Sequence, residues 1–193
     1  MAKEDPICQQ LISNRVDVLS PKHTYLAIFI LQEYIKQEKS PWKLYLDILP
    51  KDPKDNCIFP INYSNSELTE LIGSPFLMQI HEKVYDLKRD YDRVALACED
   101  FRKYKFRDFC WARNMVGSRI FGLLINGVKT DIFAPFADML NHKLPKQSSW
   151  NYVDQVEGFV IEALEDIPQG VEVFDSYGKK CNSRYLLNYG FVL

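Results

Sequence analysis

The sequence predicts an α+β fold in which a mainly helical N-terminal part is followed by short strands. Three observations support this prediction. Serine-proline pairs, which are typical of helix starts, recur in the first half of the chain, each followed by apolar residues at helical spacing. After residue 120 the pattern changes to short apolar runs separated by turn residues. Hydrophobic residues make up 47% of the 193 residues, so the chain is able to bury a sizeable core.

The predicted helices share a start signal, with serine as the N-cap and proline in the first helical position. The signal occurs at Ser20-Pro21, Ser40-Pro41 and Ser74-Pro75. The third of these helices is expected to extend to about Ala97, and a fourth helix is expected over 106–120. Residues 50–65 are rich in Pro, Asn, Asp and Lys and are interpreted as a loop, followed by a short helix over 66–71.

The second half of the chain predicts short strands. Asn126-Gly127 separates two predicted strands, 123–125 and 129–133, and this pair favours a β-hairpin with a type I′ turn. The remaining predicted elements are strands over 158–164 and 171–174, a helix over 182–187 and an extended segment over 189–193.

Composition weighs against several classes of partner. The formal net charge is −2 and no block of like charge occurs, so a nucleic-acid partner is not expected. No apolar run is long enough to cross a bilayer, and the N-terminus does not resemble a signal peptide. A soluble protein of the cytoplasm or nucleus is therefore predicted.

The cysteine pattern points the same way. No two cysteines form a CxxC pair, so no metal site is expected and the thiols are predicted to be free in a reducing compartment. The five cysteines are Cys8, Cys57, Cys98, Cys110 and Cys181.

Three segments contain residue types that suggest chemistry. They are PFADMLNH over 135–142, VFDSYG over 173–178 and NSRYLLNYGF over 182–191. Each alone has an ordinary structural interpretation: a capped helix end, a strand that meets a turn, and an apolar tail that packs in the core. Their combination and order carry more information than any one of them.

This ordered set resembles the C-terminal signature of SET-domain protein methyltransferases. The resemblance is strongest to the RuBisCO large-subunit lysine methyltransferases and the actin-histidine methyltransferases. Residues 109–119 resemble the helix that precedes this signature, and residues 42–50 resemble the helical insert of that group. The resemblance implies a helical SET insert over 1–108 and a catalytic C-terminal SET half over 109–193, with a knot-like final segment.

The resemblance also implies roles for individual residues. Tyr177 matches the catalytic tyrosine. S-Adenosylmethionine would be the cofactor, without a metal, since the activated methyl group belongs to that molecule. Its binding residues would be Asp138, Asn141, His142, Tyr189, Gly190 and Phe191. The substrate would contact Arg119, Asp138 and Tyr189.

The implied function is methylation of a lysine or histidine in a non-histone protein. Lysine is slightly favoured because Phe121 stands where the actin-histidine enzymes have a substrate-facing asparagine. Two alternatives remain: a catalytically inactive SET-derived interaction module, and a helical scaffold whose motifs are coincidental.

The chain departs from the family pattern at both ends. Complete members begin with a β-rich segment that contains a GxG turn, whereas this chain has eight glycines, the first at Gly73, and no GxG. Related enzymes also continue into a helical domain beyond the position of Leu193. The expectation is a fragment or short form with exposed strand edges that favour association. The isolated chain is expected to bind S-adenosylmethionine weakly or not at all.

Overall fold

A computed structural model of the chain describes residues 2–51 and 58–193. Two compact units form: a helical unit, Met1–Ser118 with Asn182–Leu193, and a strand unit, Arg119–Cys181. The predicted α+β class is confirmed. The predicted boundary between a helical insert over 1–108 and a catalytic half over 109–193 stays a prediction, because the two compact units do not test how the chain corresponds to segments of the family.

The helical unit is built from seven α-helices among the described residues, connected by turns and short 3₁₀ segments. The α-helices are α1 (Pro6–Ser13), α2 (Pro21–Ile35), α3 (Lys43–Ile48), α4 (Asn65–Thr69), α5 (Pro75–Ala97), α6 (Phe106–Arg119) and α7 (Asn182–Tyr189). Helix α1, which the sequence analysis did not predict, begins after Asp5, whose carboxylate accepts hydrogen bonds from two backbone N–H groups of the first turn.

The serine-proline signal is right twice and wrong once. Helices α2 and α5 begin at the proline of the pair, and Ser74 Oγ accepts from Phe76 N at 3.2 Å. The Ser40-Pro41 pair instead begins a turn, and α3 starts at Lys43. The reason is that the hydroxyl of Ser40 donates to Glu33 Oε2 at 2.6 Å and accepts from the N–H of residue 42, so it stabilises a turn.

Two other predicted boundaries shift. Helix α4 begins at Asn65, one residue before its predicted start, because Ser64 and Glu67 form a reciprocal capping box. Helix α6 ends at Arg119, since Ile120 is already in the first strand. Part of the predicted loop over 50–65 lies outside the described residues.

A buried ion pair connects three helices of the helical unit. Arg113 Nη1 of α6 lies 2.9 Å from Asp90 Oδ2 of α5, and the Asp90 side chain is almost fully buried. Arg113 also donates to Thr24 Oγ1 of α2 at 2.9 Å. Because a buried charge needs partners, this network fixes how α2, α5 and α6 pack.

The strand unit contains three two-stranded sheets. Its strands are β1 (Ile120–Ile125), β2 (Val128–Phe133), β3 (Asn141–His142), β4 (Ser148–Val153), β5 (Gly158–Ala163) and β6 (Phe174–Asp175). The pairs β1–β2 and β4–β5 are antiparallel, and β3–β6 is parallel.

The predicted hairpin is confirmed, with Asn126 at φ 48° and Gly127 at φ 76°, as a type I′ turn requires. The strand predicted over 171–174 is wrong for most of its length, because only residues 174 and 175 find a partner strand. Strand β4 was not predicted. The C-terminal extended segment is wrong at its first residue, because Tyr189 ends α7.

The core of the strand unit is aromatic. Phe121 is 6% exposed and packs edge-to-face on Trp150, with ring centroids 5.1 Å apart. Phe159 of β5 lies 4.9 Å from the Phe121 centroid. These contacts join β1 to the β4–β5 pair.

The four described cysteines are free, as predicted, and Cys57 lies outside the described residues. Over residues 2–51 and 58–193, no helix combines the length and the apolar character that a membrane span requires.

Candidate active site

A short parallel ladder joins two of the three sequence motifs within the strand unit. Asn141 pairs with Phe174 and His142 with Asp175. The ladder continues with Lys143 N, which donates to Asp175 O at 2.9 Å. The ADMLNH segment and the SYG segment therefore lie side by side although more than thirty residues separate them in sequence.

Tyr177 is fixed by three contacts at the end of this ladder. Its backbone N–H donates to His142 Nδ1 at 3.0 Å, and its ring stacks on the His142 ring with centroids 5.2 Å apart. Its hydroxyl donates to Leu140 O at 2.8 Å. Because Nδ1 of His142 is an acceptor, the neutral imidazole carries its proton on Nε2.

The charges around the ladder favour a neutral histidine. Burial lowers the pKa of His142, and the nearby Lys180 ammonium lowers it further against the opposing effect of Asp175. Lys180 Nζ also donates to Tyr177 O, so the cation is held beside the motif. His142 therefore acts in the site as an uncharged ring.

Asp175 is a buried carboxyl in the same ladder. It is 4% exposed, and burial raises its pKa, although hydrogen bonds from the Ser176 backbone and the Trp150 indole oppose the shift. A raised pKa means that the folded state binds the proton more tightly than the unfolded chain does. The stabilising effect of protonation is present at low pH and is lost as the pH rises through the folded-state pKa.

Asp175→Asn is accordingly expected to unfold at a higher urea concentration than the wild type at pH 7, because the amide carries no buried charge and its oxygen can still accept a hydrogen bond. The difference should shrink as the pH is lowered towards the raised pKa. Urea unfolding followed by tryptophan fluorescence at several pH values measures this difference. A constant difference at every pH would contradict the assignment of a raised pKa to Asp175.

An ion pair lies at the start of the ADMLNH segment. Arg119 Nη1, at the end of α6, is 3.0 Å from Asp138 Oδ2. The Asp138 side chain is 1% exposed and that of Arg119 is 22% exposed. Within the strand unit, Arg119 and Asp138, both predicted to contact the substrate, are therefore in direct contact with each other.

The residue that precedes this segment has an uncommon backbone conformation. Phe136 adopts φ 76° and ψ −45°, and its ring is 89% exposed. A bulky residue at positive φ is strained, and such strain occurs often at functional sites.

The helical unit places the third motif at the end of α7. Tyr185 is fully buried, and the Phe191 ring stacks on it with centroids 5.3 Å apart. Beyond the helix, Leu193 bonds through both its N–H and its carbonyl to the Asn182 side chain, so the tail turns back along α7. Tyr189 and Phe191 are left half-buried, with part of each ring exposed.

Gly190 is required at this turn for two reasons. Its φ is +80°, and a Cβ at this position would lie 2.8–3.0 Å from side-chain atoms of Ile58. Gly190→Ala is expected to destabilise the protein by about 2 kcal/mol or more, because left-handed backbone strain and overpacking add. The matched control is Gly73→Ala, at φ +86° with no atom within 4 Å, which should cost only the backbone strain. Equal losses in thermal unfolding would show that the Ile58 contact has no effect.

Each unit thus gathers its own predicted residues: Arg119, Asp138, Asn141, His142 and Tyr177 in one, and Tyr189, Gly190 and Phe191 in the other. That all of them serve one cofactor stays a prediction. Among the described residues, no three His, Cys, Asp or Glu side chains form a group able to hold a metal ion, and the expectation of a metal-free reaction also stays a prediction.

The sequence analysis missed two contributors to this geometry, the Leu140 carbonyl and Asp175. Backbone acceptors have no sequence signal. Asp175, however, follows two apolar residues in the VFDSYG motif, and a carboxyl there is a recognisable departure from an apolar strand.

The family model described as SET domain matches residues 7–178, most of the chain. The chain belongs to the SET domain family. The resemblance predicted from the three motifs is therefore confirmed. In this chain the ADMLNH and SYG segments are brought together by the pairing of β3 with β6.

Curated relatives agree with this assignment. The chain is 28% identical to the ribulose-1,5-bisphosphate carboxylase/oxygenase large subunit N-methyltransferase of Nicotiana tabacum, over 97% of this chain and 40% of that protein. It is 27% identical to the ribosomal lysine N-methyltransferase set10 of Schizosaccharomyces pombe, over 89% of this chain and 31% of that one. SET domain-containing protein 4 of Mus musculus is 31% identical, over 86% and 40% of the two chains. The chain thus spans less than half the length of these relatives.

Solved structures show the same fold. The SET domain of LSMT bound to lysine and AdoHcy superposes with a TM-score of 0.78 at 23% identity, over 100% of this chain and 44% of that one. Rubisco LSMT bound to AdoMet gives a TM-score of 0.72 at 25% identity, over 94% and 42%.

Proposed function

We propose that the chain provides the catalytic tyrosine and much of the cofactor site of an S-adenosylmethionine-dependent protein lysine methyltransferase. The observation that carries this proposal is the arrangement of Tyr177, stacked on His142 with its hydroxyl bonded to Leu140 O, in a chain of the SET domain family. Relatives named as lysine N-methyltransferases support the same activity.

The residues present suit S-adenosylmethionine, which supplies the activated methyl group when it is bound. Tyr189 and Phe191 are half-buried aromatic residues, a residue type that can pack against a planar base. In the strand unit, the Asn141 side chain is exposed and bonds Glu172 Oε1 at 2.6 Å, so its amide is accessible to a polar ligand. Asn141, His142 and Asp138, together with Tyr189, Gly190 and Phe191, are proposed to bind this cofactor.

Tyr177 is proposed to orient the acceptor amine. Its hydroxyl proton points to the Leu140 carbonyl, so the lone pairs of its oxygen stay available to accept an N–H or to face partial positive charge. A lysine, whose ordinary pKa is about 10.4, must lose a proton before it attacks. Arg119, Asp138 and Tyr189 are proposed to contact the protein substrate.

Lysine is the acceptor that we propose over histidine. Phe121, at the position of the asparagine in the actin-histidine enzymes, packs in the aromatic core of the strand unit and is 6% exposed. It offers no hydrogen bond to an imidazole, which needs a fixed tautomer to act as a nucleophile.

The proposed substrate is a protein, with no nucleic-acid or membrane partner, in the cytoplasm or nucleus. The named relatives act on RuBisCO, on fructose-bisphosphate aldolase and on ribosomal proteins. Exposed apolar side chains at the tip of the β1–β2 hairpin, Leu124 and Val128, support association through strand edges as a further proposal.

The decisive experiment transfers labelled methyl groups from S-adenosylmethionine to proteins of a cell extract with the full-length protein. Acid hydrolysis then separates methyllysine from methylhistidine. We expect methyllysine that is lost in Asn141→Ala. Labelled histidine would overturn the choice of acceptor. Partner capture without labelling, unchanged by Asn141→Ala, would instead favour a catalytically inactive interaction module.

A further inference from the structure

A lysine from α5 contacts the last turn of α7. Lys83 Nζ donates to Leu187 O at 2.7 Å and lies 3.4 Å from Asn188 Oδ1. The last carbonyls of a helix lack partners within the helix and carry partial negative charge. The N–H of Gly190 satisfies Leu186 O at 3.0 Å, and Lys83 provides the donor for the next carbonyl.

We propose that Lys83 is a positioning residue that fixes the last turn of α7 and, through it, the Tyr189–Phe191 segment that binds the methyl donor. The inference rests on the proposed function for the cofactor role of that segment. Lys83 bonds a backbone carbonyl of α7, two residues before Tyr189. Its effect passes through the helix backbone.

The surroundings of Lys83 disfavour its charge, so packing alone does not explain a lysine at this position. Burial and, as a smaller cause, the nearby Arg113 guanidinium together lower the pKa of Lys83 to about 8, against a smaller opposing effect of Cys110. An apolar side chain of similar length would avoid this cost. The gain that offsets it is the charge-assisted hydrogen bond to the helix end.

Other contacts also hold α7 and the Tyr189–Phe191 segment in place. The ring of Tyr185 is buried, a Cβ at Gly190 would meet Ile58, and Asn182 binds Leu193. None of these contacts reaches the Leu187 carbonyl. Without the ammonium group, this carbonyl loses a donor at the turn that carries Tyr189, and the turn is expected to fray.

The test uses the full-length protein with Lys83→Met, Lys83→Arg and a control, Lys88→Met. Lys88 is on the same helix but is exposed and pairs with Asp92 at 2.6 Å. Calorimetry with S-adenosylmethionine should show about tenfold weaker binding for Lys83→Met. Lys83→Arg should recover most of the affinity, and the control should match the wild type. The KM for S-adenosylmethionine should rise more in Lys83→Met than the KM for the protein substrate, because Tyr189 alone of this segment is proposed to contact that substrate.

Amide hydrogen exchange of residues 186–191 gives a second measurement, which needs only the wild type. Lys83, whose pKa is about 8, loses its charge as the pH rises from 7 to 9, whereas the pKa of Cys110 is raised to about 12, above this range. After correction for intrinsic rates, protection of this turn should fall over that range more than protection in the middle of α5. The same comparison applies if Lys83→Met does not fold.

Wild-type affinity and unchanged exchange in Lys83→Met would overturn the inference, as would equal losses in Lys83→Met and Lys83→Arg. If the wild type itself binds no S-adenosylmethionine, the proposed function fails and the cofactor role of Lys83 fails with it. In that case exchange still reports whether Lys83 fixes the turn, so the two failures are distinguishable.

Discussion

Tyr177→Phe is expected to reduce the rate of methyl transfer by about 100-fold or more, a loss typical for a hydrogen-bonding group aimed at the reacting centre. The substitution removes only the hydroxyl that bonds Leu140 O. The ring can still stack on His142, and the bond from the Tyr177 backbone to Nδ1 does not involve the side chain. Stability should therefore fall by only about 1 kcal/mol. Initial rates of labelled methyl transfer and urea unfolding separate the two effects.

The matched control is Tyr85→Phe. Tyr85 lies on α5 and is 69% exposed, so loss of its hydroxyl should change neither the rate nor the stability. A Tyr177→Phe protein that transfers methyl groups at the wild-type rate would remove this tyrosine from its proposed role. A large loss of stability in the same variant would show that the hydroxyl has a structural function instead.

Local signals in the sequence predict the elements whose ends are stabilised locally. The Ser74-Pro75 pair predicts the start of α5, and Asn126-Gly127 predicts the hairpin, since both depend on the conformation of a few adjacent residues. The same serine-proline signal fails before α3, because the Ser40 hydroxyl bonds Glu33 from another helix. A tertiary contact decides the conformation there.

Elements that depend on a partner strand are less predictable. Strand β4 alternates polar and aromatic residues over only 149–152 and is stabilised by pairing with β5. The pairing of β3 with β6 involves two residues on each side, which is too short for any periodic signal. Both pairings follow from contacts between residues that are distant in the chain.

The candidate site also combines features that the sequence predicts with contacts that depend on distant residues. The motifs contain the residue types, and the resemblance to a family supplies their roles. The contacts that hold Tyr177, however, come from a backbone carbonyl and a histidine in another motif. Lys83 is more than one hundred residues away in sequence from the carbonyl to which it donates. It lies in α5, for which the sequence predicts only an apolar face. The reacting groups are therefore easier to recognise from a sequence than the groups that position them.

Asp138→Ala is expected to lower the free energy of unfolding by about 3 kcal/mol, because it leaves the Arg119 guanidinium without the carboxylate that compensates its charge. The loss should also remove activity, since the Ala137–Met139 turn leads directly to Leu140, the acceptor for Tyr177. Urea unfolding and methyl-transfer rates measure the two effects.

The exposed pair of Lys88 and Asp92 provides the comparison, because Asp92→Ala breaks an ion pair of similar length in water and should change stability little. A second variant separates charge from function. Replacing both Arg119 and Asp138 by leucine removes the uncompensated charge and should recover most of the stability. Activity should stay low, since neither polar group would be left to contact a substrate. Recovery of activity in the double variant would show that the pair serves only to hold the fold.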